Sequence, residues 1–212
     1  MTLRRALDAA ARGRFPAPDG TVAVVGPPDG PADAVVAFTA HSVVATSLAP
    51  DAVRKHLDTD DFGATLRAPF LTWLGQQLGS RPGSVDAVLV AFGQGGPSNL
   101  METDGIQSQP RVVRATRYRT DVHVWTDRDR RGVLIIGRGL AGRLEASFEV
   151  EPAHRGSGLG RHLAAAALRI VPEGEPLYMQ AAPGNAASVR AILPAGFRPI
   201  AAECLFLRDA SR

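Results

Sequence analysis

Residues Leu144 to Ile170 read Leu-Glu-Ala-Ser-Phe-Glu-Val-Glu-Pro-Ala-His-Arg-Gly-Ser-Gly-Leu-Gly-Arg-His-Leu-Ala-Ala-Ala-Ala-Leu-Arg-Ile. Leu144, Ala146, Phe148 and Val150 alternate with Glu145, Ser147 and Glu149, which is the period of a strand. Pro152 ends that ladder because it has no N–H to donate. Arg155, Gly156, Gly158 and Gly160 then open a helix carried by Leu163, Ala166, Ala167 and Ile170. A glycine-rich turn entering a helix presents unpaired backbone N–H groups to one point, and the helix dipole adds positive potential there. Such a place suits a phosphate or pyrophosphate.

Two familiar phosphate loops do not fit. A P-loop needs Gly-Lys-Ser/Thr, and the only lysine is Lys55, preceded by Arg54. A dinucleotide fingerprint needs Gly-x-Gly-x-x-Gly, but the last position falls on Arg161 or Leu163. What remains is Arg155-Gly156-Ser157-Gly158-Leu159-Gly160 after Val150-Glu151-Pro152. A second block follows: Asn185-Ala186-Ala187-Ser188, then Gly196-Phe197, with a short strand expected over Leu177 to Ala181.

Together these blocks resemble the cofactor-binding half of the GNAT N-acetyltransferase superfamily, with this chain as a divergent member. The resemblance covers about Val133 to Leu207 and is thin before Arg111. It implies an α/β fold, with a mixed, mostly antiparallel sheet flanked by helices and an elaborated N-terminal half. It also implies acetyl-CoA as co-substrate, its pantetheine adding like an extra strand beside Glu145–Val150 and its pyrophosphate resting on Arg155–Arg161. The cofactor residues so implied are Phe148, Glu149, Val150, Arg155, Gly156, Ser157, Gly158, Leu159, Gly160, Arg161, Asn185 and Ser188.

The implied activity is N-acyl transfer, chiefly acetyl transfer, from acyl-CoA to an amine by direct attack. The alternative is a non-catalytic acyl-CoA-binding or regulatory protein. Direct attack needs a neutral amine, a polarised carbonyl and a protonated leaving sulfur. Glu145 and Glu149, on one side of the key strand, are the candidate bases. The family's usual acid is a tyrosine seven residues after the helix asparagine, and here that position is Ile192. Tyr178 is therefore the candidate replacement. Pro194 is expected to end the second helix early.

The N-terminal part reads as folded. A helix is expected within Met1–Arg14, strands at Thr21–Val25, Ala34–Phe38, Ser42–Thr46 and Val85–Phe92, and helices at Pro50–Leu57 and Pro69–Leu78. Gly93–Pro110 is polar and rich in Gly, Pro and Ser, and marks a boundary or loop between a half at 1–110 and a half at 111–212. Val112–Tyr118 is ambiguous between helix and strand. Strands follow at Asp121–Thr126, Val133–Arg138 and Arg143–Val150. Only residues 197–212 follow Gly196, so Pro199–Leu207 forms one long strand or two short ones where the family usually has two long ones walling the acceptor site. The missing wall is expected from the N-terminal half or another subunit.

The chain has 212 residues, with 45% hydrophobic and 21% charged, in the range of a soluble globular protein. Net charge is +3, and Arg128-Asp129-Arg130-Arg131 mixes signs, so neither nucleic acid nor a membrane is expected as a partner. The expected partner is a small-molecule or peptide amine, with a homodimer left open. A single cysteine, Cys204, allows no internal disulfide, and a cytoplasmic protein is the expectation. His41, His56, His123, His154 and His162 show no metal-ligand spacing, so no metal is expected.

Overall fold

Period-two and period-3.6 patterns both become structure in the computed structural model, which describes residues 2–58 and 61–208. Helix α1 (Leu3–Ala11) starts at Thr2, whose hydroxyl accepts from the Arg5 N–H, and it buries Leu3, Ala6, Leu7 and Ala10 along one stripe. Strands β1 (Val22–Val25), β2 (Ala32–Phe38) and β3 (His41–Ala45) follow. Helix α2 (Pro50–Arg54) has Pro50 in its first turn and stops short of the expected Leu57. Helix α3 (Ala68–Leu78) buries Phe70, Leu71 and Leu74 and ends at Gly79, whose φ of 62° needs glycine.

Strand β4 (Pro82–Phe92) is followed by the expected loop, which holds a two-residue strand β5 (Met101–Glu102). The ambiguous segment is helix α4 (Pro110–Tyr118): the Gln109 side chain accepts from the Arg111 and Val112 N–H groups, and Pro110 sits in the first turn. Then come β6 (Thr120–Thr126), β7 (Gly132–Arg138), β8 (Leu144–Val150), α5 (Leu159–Ile170), β9 (Pro176–Ala181), α6 (Ala186–Ile192) and β10 (Arg198–Leu207).

The strands form one sheet in the order β1-β3-β2-β10-β4-β9-β8-β7-β6-β5. Among the described residues only β1–β3 and β8–β9 pair in parallel; the other pairs are antiparallel. The fold class is therefore mixed α/β, with a mostly antiparallel sheet flanked by helices. One long strand, β10, follows Gly196, bent by irregularities at Pro199/Ala201 and Cys204/Phe206. Its inner neighbour comes from the N-terminal part: β4 lies between β9 and β10.

Alternation along β4 divides the helices between two faces. Ala87, Leu89 and Ala91 point to the core under α5 and α6, and Val85 continues that face to the core under α3. Val88 and Val90 point the other way, to α1. On β7, Leu134 and Ile136 meet α5 while Val133 and Ile135 meet α4. No helix among the described residues is long and apolar enough to cross a membrane.

The position of β4 generates a prediction. A chain beginning at Arg111 loses both neighbours of β10, β2 and β4, leaving β10 unpaired, one edge of β9 open and the core residues that pack on Leu89 uncovered. It is expected to aggregate or to unfold without a cooperative transition, as followed by circular dichroism. A soluble monomer with a sharp thermal transition would contradict this.

Candidate functional site

Strands β8 and β9 are partners for only three residues. Leu144, Glu145 and Ala146 face Leu177, Tyr178 and Met179, after which the two diverge. Past that point β8 runs on to Val150, paired with β7 alone. The wedge opens into a cavity of about 680 Å³ bounded by β8, the start of α5 and α6. Gly132, with Leu163 and Leu159 where a Cβ would be, lets β7 and α5 close against each other beside it.

The turn after β8 is built to face an anion. Pro152–His154 forms one 3-10 turn, and Gly156 and Gly158 follow with φ of 80° and 87°. From Gly156 through Arg161, no backbone N–H finds an acceptor among the described residues; the first helical bond is donated by His162 to the Gly158 carbonyl. No side chain caps α5. Arg111, Arg155, Arg161 and Arg190 line the cavity, and Glu149 is its one lining carboxylate among the described residues. The site is strongly electropositive and offers a nest of free N–H donors.

The glycines have two jobs. Nothing lies near a Cβ placed on Gly156 or Gly158, where positive φ is the constraint. Gly160 is different: its Cβ would stand 3.2 Å from the Phe148 ring and 3.4 Å from Ala191, so it lets α5 pack against β8 and α6. Two of the expected cofactor residues do not line the cavity. The Ser157 hydroxyl turns back to donate to the His154 carbonyl at 2.7 Å, and Leu159 packs inward. Phe148, Glu149, Val150, Arg155, Gly156, Gly158, Gly160, Arg161, Asn185 and Ser188 all line it. Asn185 also caps α6, its side-chain oxygen accepting from the Ser188 N–H at 3.2 Å.

The open edge of β8 is covered by two guanidinium groups. Arg155 donates from Nε to the Val150 carbonyl at 3.2 Å, and Arg111 donates from Nη2 to the Phe148 carbonyl at 3.3 Å. Both carbonyls therefore face the wedge and would otherwise be unpaired. Arg111 is a site residue that motif reading passes over, because it belongs to α4 and comes to the cavity from far along the chain. Its only local signal was the Gln-Pro pair that starts the helix.

Glu145 is not free to act as a base, a correction to the sequence expectation. It is 3% exposed, and both its oxygens are engaged. Oε1 accepts from Arg143 Nε at 2.8 Å and from the Leu140 N–H at 3.2 Å, and Oε2 accepts from Arg119 Nε at 3.1 Å. Burial alone would raise its pKa, but the two arginines outweigh that and hold it below the ordinary carboxylate value. Gly139 makes room for it, since a Cβ there would overlap the carboxyl group. The chain of charge continues from Arg143 Nη2 to Glu203 at 2.6 Å and from Arg119 Nη1 to the Ser147 hydroxyl at 2.9 Å.

Tyr178 is also corrected. It is fully buried on the α1 face, away from the cavity, with its hydroxyl unpartnered, and burial pushes its pKa up to about 12. It cannot deliver a proton to a group in the wedge. Ile192 is buried in the core under α5. Cys204 is a buried, free thiol whose pKa burial raises to about 11, the behaviour of a small apolar group. Among the described residues no group of three or more His, Cys, Asp or Glu could hold a metal ion. Glu149 is left as the carboxylate at the wedge. Its side chain is 41% exposed, with Arg155 at 3.9 Å.

No family model matches the sequence, and no curated protein matches it. Solved structures do. An acetyltransferase from the GNAT family of Colwellia psychrerythraea is 11% identical, with a TM-score of 0.39 over 67% of this chain and 63% of that one. A GCN5-related N-acetyltransferase from Kribbella flavida is 16% identical, with a TM-score of 0.42 over 67% of this chain and 65% of that one. The chain thus spans just under two thirds of the length of each. Both are partial likenesses at low identity.

The buried charges generate a prediction. Arg143→Met leaves Glu145 and Glu203 buried with one shared cation removed. Breaking such a group costs about 3–5 kcal/mol. Urea unfolding should show a midpoint lowered accordingly. A variant within about 0.5 kcal/mol of wild type, the usual range for a neutral surface change, would mean the pairs carry no such role.

Proposed function

We propose that this chain is a divergent GNAT-type N-acyltransferase that binds an acyl-CoA, chiefly acetyl-CoA, and passes its acyl group to an amine by direct attack. The observation that carries the reading is the wedge between β8 and β9, which opens onto free N–H groups and a cation-rich wall. An elongated ligand with amides at one part and phosphates at another matches that sequence of surfaces. The amides add along the Phe148–Val150 edge, as a further strand does in strand addition. The phosphates rest on the N–H groups of residues 156–161, near Arg155 and Arg161.

The bound acyl-CoA supplies an activated thioester. The chain's residues hold it, exclude water and receive a proton. Glu149 takes the proton of the incoming amine, directly or through one water, because it is the carboxylate at the wedge that is open to solvent. The amine nitrogen bonds to the carbonyl carbon, the carbon–sulfur bond breaks, and the sulfur leaves as thiolate to be protonated from solvent. Glu145 and Arg119 position the β8 backbone without touching the reacting atoms.

One observation favours a second reading, a non-catalytic acyl-CoA-binding protein. Ile192 and Tyr178 are both sealed in core, so neither supplies an acid for the sulfur. Turnover separates the two readings: with a panel of amines, free thiol release above the no-enzyme rate supports transfer, and tight binding without release supports the second.

Binding itself is tested by titration calorimetry with CoA. Ser157→Asp puts a carboxylate on an exposed side chain at the N–H nest, and should weaken CoA about tenfold or more at low salt, with less effect at high salt. Arg161→Ala should weaken it by roughly tenfold, the worth of one charge-assisted hydrogen bond. Unchanged affinity in both variants would remove the loop from the site. For catalysis, Glu149→Gln should lower kcat by about a hundredfold or more while CoA affinity changes little.

A further inference from the structure

We infer that Arg111 is the receptor for a carboxylate at the reacting end of the wedge, so that either the acyl group or the acceptor amine is itself an acid. This rests on the acyl-CoA reading above and goes one step further, to substrate class.

Arg111 stands apart from the other buried arginines. Arg119 and Arg143 each meet a carboxylate, at 3.1 Å and at 2.6–2.8 Å. Arg111 meets none within 4.0 Å among the described residues, although it is half-buried and lines the cavity. Among the described residues its side chain's one hydrogen bond is the 3.3 Å contact to the Phe148 carbonyl, and its Nε is buried without a partner. Burial accordingly lowers its pKa, only partly offset by Glu149 and Asp86, with Arg119 and Arg114 adding to the lowering. A guanidinium taken from water without a counter-ion is costly unless an anion completes it.

The backbone that carries the side chain is held in place. Gln109 accepts from the Arg111 backbone N–H at 2.7 Å, Pro110 fixes the turn, and Val112 is fully buried beside it. A planar fork carried on that fixed helix start suits a carboxylate.

Its position sets it apart from the loop N–H groups, toward the closed end of the wedge. Arg111 sits on the Phe148 carbonyl, two residues nearer the closed point of the wedge than Val150, the end of β8, whose carbonyl takes Arg155 from the phosphate loop. Along a strand that is about 7 Å. With phosphates on the loop, the ligand's other end reaches Arg111. Two sources supply a carboxylate there: the far end of a dicarboxylic acyl chain, or the acid group of an amino-acid-like acceptor.

The test uses the full chain, wild type and Arg111→Met, with Arg111→Lys as a variant that keeps the charge without the fork. Calorimetry compares CoA, acetyl-CoA and succinyl-CoA. Thiol release compares KM for an α-amino acid and for its amide. If the acyl source is right, wild type binds succinyl-CoA at least tenfold tighter than acetyl-CoA. If the acceptor source is right, the amino acid has a KM at least tenfold below its amide. In either case Arg111→Met loses the preference by a larger factor than any change in its affinity for CoA, and Arg111→Lys keeps part of it. Wild type that binds CoA and shows neither preference overturns the inference and leaves the acyl-CoA reading standing. So does a preference that survives in Arg111→Met. Wild type that binds no CoA overturns both.

Discussion

A chain of buried charge, Glu203–Arg143–Glu145–Arg119, sets the geometry on which the site depends. Glu203 lies on β10 and Glu145 on β8, and β4 and β9 run between those strands. With neighbours about 4.8 Å apart, the ion pairs bridge three strand spacings across one face of the sheet. Arg143 lies over the Tyr178 ring on the way, 5.1 Å from its centroid. Two arginines and two glutamates cancel in charge, but burial makes the group tolerant of little displacement, since any lost contact exposes an ion to a low dielectric. The last strand is thus locked to the strand that forms the wedge.

The wedge follows from where that lock acts. It grips β8 at Glu145, the middle of the three residues that pair with β9, and the pairing fails immediately beyond Ala146. Ser147, held by Arg119, and Gly160, packed on Phe148, then direct β8 away toward α5. The open edge so created carries two inward carbonyls, and arginines from two different elements cover them. An edge satisfied by flexible side chains instead of a neighbouring strand is one that a ligand's amides can take over.

Local reading found what local physics controls. Strand alternation at Leu144–Val150, the proline at 152 and the glycines before Leu163 mark the β8–turn–α5 unit directly in the sequence, and ten of the twelve expected cofactor residues line the cavity. It failed where the environment comes from afar. Glu145 and Glu149 share one side of a strand and look alike in sequence. What separates them is Arg143, Arg119 and the missing side chain of Gly139, none of which the strand pattern reveals. Tyr178 lies on a strand beside the site but faces α1, because its neighbours Leu177 and Met179 take the α5 side. Helix α4 was ambiguous because Val112, Val113 and Thr116 favour strands, and a short helix is decided by its cap and its packing on β7. The place of β4 in the sheet is non-local altogether.

The order of the strands has a consequence for how the protein is made. Strands β2 and β4 are finished early, yet both wait for β10, the last element of the described chain, to lie between them. At roughly 5–20 residues per second, synthesis leaves the inner edge of β4 unpaired for several seconds or more before its partners exist. During that interval Val88, Leu89 and Val90, all buried in the finished sheet, belong to an exposed apolar strand. The hairpin of β2 and β3, with β1 beside it, forms meanwhile from contacts close in sequence. Folding of the central sheet is therefore a closing event, in which β10 inserts between waiting edges and the buried charges engage together. Its hazard is pairing between the β4 edges of two unfinished chains, which competes with formation of the finished sheet.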